Sequence, residues 1–131
     1  MIDSHTVESP AQLLPSEPGS VRLARAWVDG WLTTWALERL SAAATLVTSE
    51  LVTNAIQHGQ GKEIALQLTR DGSAVTIRVG DDNPDPPLPR QAGTESEAGR
   101  GLHLVAACSS SWGWHPENPD GPGKYVWALL E

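Results

Sequence analysis

Glu50, Asn54 and His58 stand four residues apart in one stretch of the chain. In a helix each step of four turns only about 40° round the axis, so the three side chains project from one side. A carboxylate there can orient water or accept a proton, and an Asn carbonyl oxygen is a hard ligand suited to Mg²⁺ or Ca²⁺. The same spacing also describes a solvated helix face whose terminal His complements the helix dipole. Asp81 follows directly on the apolar run Val75-Thr76-Ile77-Arg78-Val79. A carboxylate at a strand end can accept a hydrogen bond from an exocyclic amine, although Asp81-Asp82-Asn83-Pro84 also has the composition of a plain turn. Gly99-Arg100-Gly101-Leu102 is a third candidate. Glycines ahead of a helix let backbone N–H groups approach an anion, the dipole adds to the attraction, and Arg100 brings a cation; a helix-entry turn would use the same glycines.

These residues need elements to hold them. Residues 1–19 lack apolar periodicity and carry Pro10, Pro15 and Pro18, which describes a flexible N-terminal arm. Ser20 is placed to cap a helix from Val21 to about Leu32, with Trp27, Trp31 and Trp35 along one stripe. A second helix starts at Ser41, with the seam Ala44, Val47, Leu51 and Ala55, and runs to about Gln57. Two alternating runs, Glu63 to Arg70 and Ser73 to Gly80, flank Asp71-Gly72 and predict an antiparallel hairpin. Residues Asp81 to Arg100 hold four prolines and break every pattern; a connection this long is more often a functional lid than a tether. A short helix from Gly101 to Cys108 and two strands, Ser110 to about His115 and Lys124 to Glu131, complete the chain. The order predicts an α+β fold: a two-layer sandwich, mainly antiparallel, its sheet covered on one face by about three helices.

Composition narrows the function. The chain has 131 residues, a size that suits one domain over residues 20–131, and a net charge of −7. That charge repels phosphate backbones and anionic lipid, so neither nucleic acid nor membrane is expected as a partner. Cys108 is the lone cysteine, which excludes an intramolecular disulfide and a Cys-rich zinc site. The N-terminus lacks the basic and then apolar run of a signal peptide, so a cytoplasmic protein is expected. A calcium loop starting at Asp81 fails, because Pro86 and Ala92 occupy the positions that require Gly and Glu. No nucleophile elbow, zinc-protease helix or Walker phosphate loop is present.

Taken together, the motifs resemble those of the histidine-kinase-like ATPase superfamily (the Bergerat fold), and within it the small bacterial anti-sigma-factor serine/threonine kinases. The segment Glu50-Leu51-Val52-Thr53-Asn54-Ala55-Ile56-Gln57-His58-Gly59 is close to that family's N-box. The resemblance implies that Asn54 binds the Mg²⁺ of ATP, that Glu50 is the catalytic carboxylate, and that Asp81 reads the adenine amine. It also implies that Gly99, Gly101 and Leu102 frame the phosphates, with His58, Asn83, Arg100 and Tyr125 completing the nucleotide site. Two departures stand out. Asn83 and Asp85 occupy positions where the family has glycines, and Tyr125 follows Gly123-Lys124 where the family offers a Thr. The implied function is transfer of the ATP γ-phosphoryl to a Ser or Thr of an antagonist protein, together with sequestration of a sigma factor; a homodimer would be compatible with it. The alternative is a partner-docking module of the same fold with little or no transfer.

Overall fold

The computed structural model describes residues 7–59, 61–85, 97–116 and 123–131. Two short strands, β1 (Val7–Glu8) and β2 (Ala11–Pro15), precede helix α1 (Ser20–Thr34). A 3₁₀ turn (Glu38–Leu40) leads into α2 (Ser41–His58), the hairpin β3 (Glu63–Asp71) and β4 (Ala74–Asp81), then α3 (Glu97–Cys108) and the strands β5 (Ser111–Pro116) and β6 (Lys124–Leu130). The strands form one six-stranded sheet in the order β1-β3-β4-β6-β5, with β2 also paired to β3. Every pairing is antiparallel.

Period-two alternation decides which sheet face is buried. Ile64, Leu66 and Leu68 on β3, Val75, Ile77 and Val79 on β4, and Val126, Ala128 and Leu130 on β6 are all buried. The register Leu66↔Val79 and Val79↔Val126 brings them into one continuous apolar surface. The helices cover this face. Ala24, Val28 and Leu32 of α1 and Ala44, Val47, Leu51, Val52 and Ala55 of α2 complete the core. Because α2 packs on α1, on α3 and on the sheet, it is buried on more than one side. That makes α2 the rigid element from which a site can project.

The flexible arm is corrected for residues 7–15. β1 and β2 extend the sheet along the edge of β3. Trp35 Nε1 donates to Glu8 Oε2 at 2.7 Å, and Leu14 reaches the core. Main-chain pairing holds this segment, and Leu14 is its single buried side chain, which leaves no apolar periodicity to detect. α3 likewise begins earlier than expected. Glu97 and Ala98 are good helix formers, so the helix takes in Gly99, Arg100 and Gly101 instead of starting after them. Residues 86–96 of the expected lid, and 117–122 of the last turn, lie outside the described residues. Among the described residues no helix is long and apolar enough to cross a membrane.

Candidate functional site

α2, β4 and β6 converge at one end of the sheet. α2 delivers Glu50, half-buried, then Asn54, 5% exposed, and ends at His58. At Gly59 the chain turns extended, and a Cβ there would lie 2.6 Å from the Ala55 carbonyl oxygen and 3.4 Å from the Asp81 Cβ. The missing side chain therefore lets the end of α2 close down on the end of β4. Asn83 fixes the same junction: its Nδ2 donates to the His58 carbonyl at 2.8 Å, and its Oδ1 accepts from Asp85 N at 2.9 Å. Both ends of the Asn83 amide are thus engaged in binding β4's exit to α2. In this structure Asn83 acts as a clip between the two elements.

Asp81 is where expected, at the end of β4 on the helix-covered face, but it is already partnered. Lys124 Nζ donates to Asp81 Oδ1 at 3.0 Å and Oδ2 at 3.1 Å, and to the Asn83 carbonyl at 3.0 Å. Asn83 N adds a 2.8 Å bond to Oδ1. The side chains of both Asp81 and Lys124 are 2% exposed. The register explains the pairing, since Asp81 lies directly opposite Lys124. Lys124 is in phase with Val126, Ala128 and Leu130, so it must point under the helices. The alternation of β6 is the sequence signal for a buried lysine.

Tyr125 lies elsewhere on the strand. It pairs with Gly80, one residue out of phase with Asp81, and so lies on the face away from the helices. A Cβ on Gly80 would fall 2.6 Å from the Tyr125 ring, and the ring stacks on His115 with centroids 5.6 Å apart. The cavity of about 160 Å³ that Tyr125 lines with Leu13, Ala65, Gly80, Asp81 and Asp82 is smaller than the roughly 300 Å³ or more of ordinary ligand pockets. Leu102 is buried at 3%. Gly99, Arg100 and Gly101 fall in the first turn and a half of α3.

The described arrangement matches a known domain. A profile of the histidine kinase-like ATPase domain matches residues 14–128. The chain belongs to that family. The match takes in β2's end, both long helices, the hairpin and most of β6, so the α+β sandwich is the family's fold in this chain. An uncharacterized protein of Streptomyces coelicolor is 43% identical over 70 residues, spanning 50% of this chain and 66% of that protein. The aligned part therefore covers just under two thirds of the relative's own length.

The family is one of ATP-binding domains, so the site can be tested for fit. Asn54 suits the metal end: it is a nearly buried neutral oxygen donor on a rigid helix. Among the described residues no group of three or more His, Cys, Asp or Glu is gathered for a metal. The base end does not fit as it stands. An adenine amine needs a reachable carboxylate oxygen, and the Asp81 side chain is 2% exposed with Lys124 Nζ against both of its oxygens.

Proposed function

We propose that this chain is a regulatory member of the histidine kinase-like ATPase domain family whose main output is contact with another protein, with slow or absent phosphoryl transfer. The observation that carries the reading is the closed Asp81–Lys124 pair, 2% exposed on each side. The ammonium adds a full ion-pair attraction, strengthened by burial, that a neutral amine's hydrogen bond to the same carboxylate lacks, so a neutral amine competes poorly for that carboxylate. By resemblance the partner is a sigma factor or the antagonist protein that competes with it, in the cytoplasm. The net charge of −7 argues against DNA as the partner.

One observation favours a second reading, a serine/threonine kinase. Glu50 precedes Asn54 by one turn on the same flank of α2. In that reading Glu50 accepts the proton of the attacking hydroxyl and Asn54 holds Mg²⁺, positioning and charge neutralisation supplying most of the catalysis. A transfer assay with radiolabelled Mg·ATP and a candidate antagonist separates the two. The docking reading expects a stoichiometric complex whose affinity is unchanged by ATP and by Glu50→Gln. Transfer to the antagonist that falls by about 10² in Glu50→Gln would establish the kinase instead.

A further inference from the structure

The Asp81–Lys124 pair has the features of a built site. Lys124 Nζ meets three acceptors, the two Asp81 oxygens and the Asn83 carbonyl, which matches an ammonium's three donors. Asp81 Oδ1 takes a further bond from Asn83 N, and Asn83 is itself clipped to the end of α2 through the His58 carbonyl. The strand register sets Lys124 opposite Asp81, and the phase of β6 turns it to the helix-covered face. Nothing in this arrangement depends on a flexible surface chain finding its partner.

We infer that Lys124 is a resident substitute for the purine amine, and that it sets the base specificity of this site by keeping the base-reading carboxylate closed. The inference rests on the reading of Asp81 as that carboxylate. An entering adenine would have to displace a charged donor with a neutral one. It would also leave an ammonium that is 2% exposed without its counter-charge, which is costly in a dry site. With Lys124 in place, a nucleotide engages only through groups other than the base amine, and adenine has no advantage. With the ammonium removed, Asp81 keeps one donor, Asn83 N, and regains acceptor capacity for an exocyclic amine.

The test is calorimetric titration of the full chain with Mg·ATP and with Mg·ITP, whose base carries a carbonyl in place of the amine, repeated on Lys124→Met. The intact chain should bind the two nucleotides within about threefold of each other, or neither measurably. Lys124→Met should bind ATP at least about tenfold more tightly than the parent, the worth of one recovered hydrogen bond to a charged group, with ITP unchanged. A parent chain that prefers ATP by tenfold or more overturns the inference and leaves Asp81 as base reader. A folded Lys124→Met with no gain for ATP also overturns it, and in that case the assignment of Asp81 falls too. Should Lys124→Met fail to fold, Lys124→Gln retains an amide donor for one oxygen and should show a gain of about threefold. Where the parent binds measurably, its ATP-to-ITP ratio decides the matter independently of either variant; where it binds neither, the gain for ATP over ITP in the variant decides it.

Discussion

Burying an ammonium and a carboxylate together is tolerable only when both are fully bonded. Asp81 and Lys124 meet that condition through three contacts to Nζ and the added Asn83 N–H. Removing one partner strands the other, which typically costs about 3 to 5 kcal/mol, whereas replacing both can be nearly neutral. Lys124→Met and Asp81→Asn should each lower unfolding free energy by about 3 kcal/mol, and the double variant should lose much less than the sum. A urea-unfolding double-mutant cycle reads the coupling directly. Gly80 makes a second test. Gly80→Ala drives a methyl into the Tyr125 ring, at 2.6 Å from the built Cβ position, and should cost about 1 to 3 kcal/mol. In a Tyr125→Thr background the same substitution should cost little.

At the scale of elements, the end of α1 carries an identifiable strain. Leu37 N bonds to the Leu32 carbonyl at 2.8 Å and Ala36 N to the Thr33 carbonyl at 3.1 Å, the Schellman pattern, with Ala36 at φ 57°. A left-handed alanine costs about 1 kcal/mol or more, which glycine avoids. Ala36→Gly should therefore raise stability by about 0.5 to 1 kcal/mol in chemical denaturation, after the greater freedom of glycine in the unfolded chain is counted. The long elements were legible because burial imposes their period: α2's seam of Ala44, Val47, Leu51 and Ala55 is wholly buried, and the hairpin's alternation faces the core. β1 and β2 were not, since main-chain pairing on an edge imposes no side-chain period. Glu50, Asn54 and Asp81 were visible as residue types on predicted elements. The closure of Asp81 by Lys124 was hidden because it depends on register between strands about 40 residues apart, a pairing that local pattern does not encode.

The whole molecule is a sheet with one face sealed by three helices and a site at the end where α2, β4 and β6 meet. The family supplies the fold and its ATP-binding ancestry. In this chain the sheet register sets a buried lysine against Asp81, the residue proposed above as the base reader. Lys62 and Lys124 are the chain's lysines, and Lys62 is exposed. Exchange of ammonium protons at Lys62 should therefore be fast, and at Lys124 slow. The decisive measurement is ¹⁵N ammonium NMR of the lysine-labelled chain, with and without saturating Mg·ATP. A slowly exchanging Lys124 signal, absent in Lys124→Met, shifted in Asp81→Asn and unmoved by ATP, is the predicted result. A Lys124 ammonium that exchanges as fast as that of Lys62, or that is released when ATP is added, would contradict it.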